Sequence, residues 1–187
     1  MIGFELIDPE KPRRIARSEF DRMVALGFFA SERVELLHGV IIAMTPPNDP
    51  PHASPVQLLG EILVLGLARR ATVRVQLPLI AADDSEPEPD IAVVPRGDYN
   101  QAHPERAHLV IEVAGSSLRK DRLVKGPLYA ASGFEEYWVV NVVAKVVEVH
   151  RHPGGDGWAS VTRHGHDDTI SPLAFPELAI PVADFLR

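Results

Sequence analysis

The stretch HLVIEVAGSS, residues 108–117, decides how this chain is read. Leu109, Val110, Ile111 and Val113 are the residue types of a buried strand. Glu112 interrupts them with a carboxylate, which is costly to bury without a compensating partner. Strand alternation places Val110 and Glu112 on one face and Leu109, Ile111 and Val113 on the other, so Glu112 is expected opposite the core face. Taken alone, a glutamate in a strand is more often an edge residue than a functional one.

The neighbouring segments sharpen the question. TVRVQLPLIA (72–81) and PDIAVVP (89–95) are strand-like and are separated by the acidic turn DDSEPE (83–88). Asp90 begins the strand before HLVIEV, so Asp90 and Glu112 can converge at one end of a sheet. Two carboxylates that close repel unless a cation lies between them, and a hard divalent ion such as Mg²⁺ or Mn²⁺ suits oxygen ligands. Lys125 follows on the next segment, DRLVKGPLYAAS (121–132), which reads as a helix with Gly126-Pro127 inside it. A lysine reaching back to such a pair could orient a water or stabilise charge on a phosphate. Glu35, among apolar neighbours in RVELL, is a further acid the sheet could bring in.

Outward from this centre, Ser18 and Asp21 mark a helix start, with Phe20, Met23, Val24 and Phe28 at helical spacing. RVELLHGVIIAM (33–44) reads as two strands joined at His38-Gly39, followed by a proline-rich loop, TPPNDPPHASP (45–55). Val56, Leu59, Ile62, Leu63 and Leu67 then recur with helical period from about Pro55 to Arg70. EEYWVVN (135–141), KVVEVHRH (145–152) and WASVTRH (158–164) are further strands. The segment FPELAIPVADFL (175–186) predicts a strand and a final short helix. The order predicts an α/β (α+β) fold: one mixed β-sheet flanked by helices, with an N-terminal helix and β-hairpin. No Gly-rich phosphate loop is present, and the elements do not alternate as in a dinucleotide-binding domain.

Composition narrows the classes. The 187 residues, 45% hydrophobic and 24% charged, suit one domain spanning 1–187, and no linker divides them. There is no cysteine, which excludes disulfides and thiolate metal sites and fits a cytoplasmic location. The start MIGFELIDPEKPRR has no basic, then apolar, secretory pattern, and QLLGEILVLGLARR (57–70) is too short for a membrane span. A net charge of −7 disfavours non-specific nucleic-acid binding, so any such partner needs a local basic patch, a metal ion or an assembly. Arg119, Lys120, Arg122 and Lys125 form a local basic cluster against Asp121. A solvated helix face explains that cluster equally well.

EPEPDIAVV (86–94) followed by HLVIEVAGSSLRKDRLVKGPLYAASGFEEYWVVN (108–141) resembles the putative restriction endonuclease family, domain of unknown function 820. That family belongs to the restriction endonuclease-like PD-(D/E)xK superfamily. The matching positions are Glu88-Pro89-Asp90, Glu112-Val113, Ser116-Ser117, Asp121, Lys125, Tyr129-Ala130 and Gly133 to Trp138. VELLHGVII matches with Glu35, PPHASPVQLLGEI with His52, and VQLPL with Gln76. The similarity runs from about Glu19 to the C-terminus. It departs from the family at AGSSLRK, where members carry a Ser-Pro-Ser turn, and at Asn141, where many carry an aspartate.

The resemblance implies a metal-dependent nuclease acting on nucleic acid, DNA first. It implies Asp90, Glu112 and the Val113 carbonyl as ligands of Mg²⁺ or Mn²⁺, Lys125 as the catalytic lysine and Glu35 as a helping acid. His52 and Gln76 would line the site, and Arg119, Lys120 and Arg122 would face the phosphate backbone. The superfamily's lysine stands two residues after the glutamate; here that position is Ala114, so Lys125 must come from the helix. Two other readings compete. One is a nuclease fold that has lost turnover and serves as a binding or assembly module. The other is zinc held by His164, His166, Asp167 and Asp168 with His150 and His152. A homodimer is one assembly the sequence allows, since two-fold pairing would pool positive charge and reach both strands.

Overall fold

The computed structural model describes residues 12–44, 49–155 and 157–187. Part of the expected proline-rich loop, residues 45–48, lies outside them. Six strands form one mixed sheet in the order β3 (Thr72–Val75), β4 (Ile91–Val94), β5 (Leu109–Ala114), β6 (Glu136–Asn141), β7 (Val146–Gly154) and β8 (Gly157–His164). All neighbours are antiparallel except β5 and β6. That parallel pair needs a crossover, which α3 (Leu118–Lys120), a π-helical turn (Asp121–Lys125) and α4 (Gly126–Ala131) supply.

Both faces of the sheet are buried, and the two cores divide β5 by alternation. Leu109, Ile111 and Val113 pack with Ile91, Val93 and Trp138 beneath α2 (Pro50–Leu67) and the C-terminal residues Val182, Phe185 and Leu186. Val110 and Ala114 pack with Ala92, Val139, Tyr129 and Tyr137 beneath α4. Glu112 shares this second face. The expectation that it faces away from the core is therefore corrected: it lies inside a second, aromatic core and is 4% exposed. Its charge must be answered by protein groups, because water barely reaches it.

Several boundaries differ from expectation for physical reasons. α1 (Arg17–Ala25) begins before Ser18, at Ala16, whose N–H donates to the Glu19 side chain reaching back from the first turn. α2 starts at Pro50, not near Pro55, because Pro50 and Pro51 occupy the first positions, where a missing N–H costs nothing. His52 is thereby in the first helical turn and not in a loop. β3 stops at Val75 because Gln76 turns the chain at φ 50°, its N–H bonding the Asp90 carbonyl at 3.0 Å. The C-terminal segment pairs β10 (Ile180–Pro181) with β9 (Thr169–Ile170) and ends in a 3₁₀ turn, Val182–Asp184.

The N-terminal hairpin of β1 (Val34–Leu37) and β2 (Val40–Ala43) forms as expected around His38-Gly39, both at positive φ. It is tied to the segment before β4 by reciprocal backbone bonds between Leu36 and Glu86 at 3.2 and 2.8 Å. This junction brings Glu35 from a separate two-stranded sheet to the main one.

Gly126-Pro127 does not interrupt the crossover. The chain widens into a π turn, in which the Gly126 N–H bonds the Asp121 carbonyl; π turns of this kind recur at functional sites. The Asp121 carbonyl also accepts from Tyr137 Oη at 3.2 Å, and the Gly126 carbonyl accepts from Trp158 Nε1 at 3.0 Å. A Cβ on Gly126 would stand 3.2 Å from the Asp121 carbonyl and 3.5 Å from the Tyr137 ring. Gly→Ala inside a helix ordinarily gains about 0.8–1 kcal/mol. We expect Gly126→Ala to lose about 1 kcal/mol instead, read as a lower urea midpoint. A stabilised variant would show that the turn is not held this way.

Candidate functional site

Lys125 is the centre of the site. It is 2% exposed, and its Nζ lies 2.9 Å from Glu112 Oε1 and 2.8 Å from Glu35 Oε2. Burial pulls the Lys125 pKa down, but the two carboxylates outweigh it and hold the ammonium form. One α4 turn later, Tyr129 Oη donates to the same Glu112 oxygen at 2.8 Å. Among the described residues Glu112 Oε2 has no hydrogen-bond partner, and Glu112 lines a cavity of about 170 Å³. Burial raises the Glu112 pKa to about 8 in spite of Lys125, helped by Asp121, Asp90 and Glu35.

Asp90 is fixed from three sides. The Val113 N–H donates to Oδ2 at 2.8 Å, His52 Nε2 lies 3.1 Å from Oδ1, and Gln76 Nε2 reaches Oδ1 at 3.5 Å. The hydrogen bond to Asp90 raises the His52 pKa against the opposing effect of burial, with a smaller contribution from the Val113 backbone. The antiparallel register Ile91↔Ile111 sets Asp90 beside the Glu112–Val113 peptide, as the order of acids predicts. Gln76, at positive φ, is a residue held in an uncommon conformation beside the acids.

Glu35, fully buried, accepts from Lys120 Nζ at 2.7 Å, Lys125 Nζ and the Glu88 N–H at 3.3 Å. Arg33 pairs with Glu88 at the rim. Asp121 is buried, accepts from Ser117 Oγ at 2.6 Å and lines the cavity; burial raises its pKa.

The structure thus gathers Asp90, Glu112, Val113, Lys125, His52, Gln76 and Lys120 around one cavity, with Glu35 directly beneath. It separates the expected basic patch. Arg119 is exposed, and Arg122 forms a two-pronged pair with Glu148 at 2.6 and 2.8 Å, away from the cavity. Tyr129, Asp121 and Arg33 line or support the site without a role readable from the residue pattern. Tyr129 and Asp121 fall at matched positions of the family pattern, whereas Arg33 carried no signal.

The zinc reading is corrected. Among the described residues no group of three or more His, Asp or Glu side chains could hold a metal. His150 is buried between Tyr137 and Trp158, and His164 bonds Thr162. At the cavity no group of three such side chains forms either among the described residues; the candidate donors there are two carboxylates and the Val113 backbone. Around it six carboxyl groups (Glu35, Asp49, Glu88, Asp90, Glu112, Asp121) face three permanent cations (Arg33, Lys120, Lys125) and His52. Hard oxygen donors with surplus negative charge fit Mg²⁺ or Mn²⁺, which keep several waters and need few protein ligands.

The Glu112 shift gives a pH signature. In metal-free protein the folded state holds a proton on Glu112 that the unfolded chain has released, between the ordinary 4.5 and about 8. The unfolding free energy therefore falls as pH rises through that window. Glu112→Gln is expected to flatten this slope, measured as urea midpoints after chelator treatment. Equal slopes in the two proteins would assign the proton elsewhere.

Comparison with known proteins gives the family and the fold. The family model Uma2, described as "Putative restriction endonuclease", matches residues 17–183. The crystal structure of a putative nuclease belonging to DUF820 from Anabaena variabilis superposes with a TM-score of 0.73 at 19% identity, covering 92% of this chain and 97% of that one. At that identity the superposition establishes the fold: restriction endonuclease-like, as expected. No curated protein matches. Among the described residues no helix is long and apolar enough to cross a membrane. With the family match running across most of its length, the chain belongs to the Uma2 putative restriction endonuclease family.

Proposed function

We propose that this protein is a divalent-metal-dependent nuclease that hydrolyses phosphodiester bonds, with DNA as its substrate. The observation that carries the reading is the shared Glu112 carboxylate. Lys125 and Tyr129 hold one oxygen, while the other has no partner among the described residues, in a cavity where Asp90 is aimed by Val113, His52 and Gln76. Asp90, Glu112 and the Val113 carbonyl would hold Mg²⁺ or Mn²⁺, which when bound supplies a more acidic water and neutralises phosphate charge.

The chain's own groups do the remaining work. Glu35 helps to hold Lys125 in its ammonium form and pairs with Lys120 at 2.7 Å. Lys125 Nζ can shift its hydrogen bonds from the carboxylates to a phosphate oxygen as charge builds there. Lys120 and Arg33 stand at the cavity as phosphate contacts, and Arg119 can meet the backbone outside it. Arg122, tied to Glu148, anchors the crossover instead. A homodimer reaching both strands and a cytoplasmic setting belong to the same proposal. The competing reading, a silent binding module, draws on one specific observation: both carboxylate contacts of Lys125 are already satisfied within the protein.

Cleavage of plasmid and single-stranded DNA with Mg²⁺ or Mn²⁺ separates the two. We expect wild-type cutting, reduced on the order of a hundredfold or more by Asp90→Asn or Glu112→Gln. Lys125→Met is expected to abolish cutting and also to cost about 3–5 kcal/mol of stability, because it strands two buried carboxylates. Wild-type protein that binds DNA but cuts none would establish the silent module.

A further inference from the structure

A second cavity, of about 410 Å³, lies between α1, the segment before β4 and the loop 95–108. Its floor is Glu86, which is 7% exposed. Among the described residues no side chain hydrogen-bonds the Glu86 carboxyl. Buried carboxyl groups are normally satisfied, so this one is available to a ligand that brings N–H donors.

Long-range charge around it cancels. Arg17 pairs with Asp21 at 3.1 Å, and Arg74 lies over the Tyr99 ring at 5.6 Å, its Nη2 3.2 Å from His103 Nδ1. Two guanidinium groups thus stand against Asp21 and Glu86, whose pKa burial raises to about 7, so the net field is small and attracts neither cations nor anions strongly. Arg74 has no acceptor atom, so His103 Nδ1 must accept, which makes that ring neutral with its proton on Nε2. Burial and the Arg74 charge lower the His103 pKa in the same direction. The walls add the face or edge of Tyr99 and, at the rim, the amides of Asn100 and Gln101.

A buried acceptor, a ring-nitrogen donor, an aromatic wall and no net field suit a neutral planar heterocycle. A free cation would gain nothing from the surrounding charge. From these observations we infer that this cavity is a nucleobase pocket, with Glu86 accepting adjacent N–H groups of a guanine and Tyr99 contacting its ring. Carboxylate recognition of base N–H donors beside an aromatic side chain is the way extracted bases are read. The base could arrive as a free nucleoside or nucleotide, or on a strand; the chemistry at Glu86 is the same. This site is separate from the acids around Lys125, and it stands whether or not that cavity cuts nucleic acid.

Calorimetric titration with guanosine, and with adenosine, cytidine and arginine as comparisons, tests the assignment. We expect guanosine to bind best, Glu86→Gln to weaken it roughly tenfold or more, and Val24→Trp to block it by filling the cavity from its half-exposed wall. Glu86→Gln removes a buried carboxyl that no side chain answers among the described residues, so its thermal midpoint should match or exceed wild type, showing that lost binding is not lost folding. Displacement of a guanine-containing single-stranded oligonucleotide by guanosine would identify a strand base as the occupant. Guanosine binding without displacement would identify the free nucleoside. No guanosine binding, equal binding to Glu86→Gln, or equal binding of arginine would overturn the proposal.

Discussion

The contact of Lys125 with Glu35 and Glu112 is the constraint on which the rest of the site depends. It joins three separately built parts: the N-terminal hairpin, the centre of the main sheet and the crossover between its two parallel strands. None of the three groups could be buried alone, since an uncompensated interior charge costs several kcal/mol. Together they are tolerated, and their mutual need fixes where the hairpin docks and how the crossover turns. The π turn belongs to this constraint. It sets Lys125 and Tyr129 on one oxygen of Glu112, while the Asp121 carbonyl is bonded by both Gly126 and Tyr137.

Such a centre leaves negative charge over. Lys125 answers two carboxylates, and Lys120 and Arg33 rest at the cavity on Glu35 and Glu88, so Asp90 and the second oxygen of Glu112 have no strong base paired to them among the described residues. Burial makes the arrangement hold a proton on Glu112 near neutral pH. A divalent cation would take the place of that proton, so metal binding and deprotonation should be linked. With such an ion the overall charge of −7 would be less of an obstacle to a nucleic-acid substrate, because the phosphate would meet a local cation and not the mean surface.

Much of this was legible in the residues. Alternation in HLVIEV separated Glu112 from Leu109, Ile111 and Val113, and the position of Asp90 at the head of the preceding strand predicted its approach. The hairpin at His38-Gly39 followed from turn chemistry. What escaped was set by distant partners. Strand pattern cannot tell a solvated face from a second core, and Tyr129, Tyr137 and Phe134 that cover Glu112 come from the crossover and the strand after it. Nor does periodicity distinguish α from π winding, so the aim of Lys125 could not be derived from Gly126-Pro127. Arg122 resembles part of a phosphate patch in sequence because its partner, Glu148, arrives from β7, three elements later. His52 was assigned to a loop because prolines suggested one, although at the first two positions of a helix they are favourable.

The central claim is that the surplus acids around Lys125 form a divalent-metal site. Its most direct test is a crystal structure of the wild-type protein soaked in Mn²⁺, with anomalous scattering recorded to locate the ion. One strong peak is expected in contact with Asp90, Glu112 Oε2 and the Val113 carbonyl, absent in Glu112→Gln, with Lys125 still on Glu35. A cavity that stays free of anomalous signal in saturating Mn²⁺, or a peak that persists unchanged in Glu112→Gln, would contradict it.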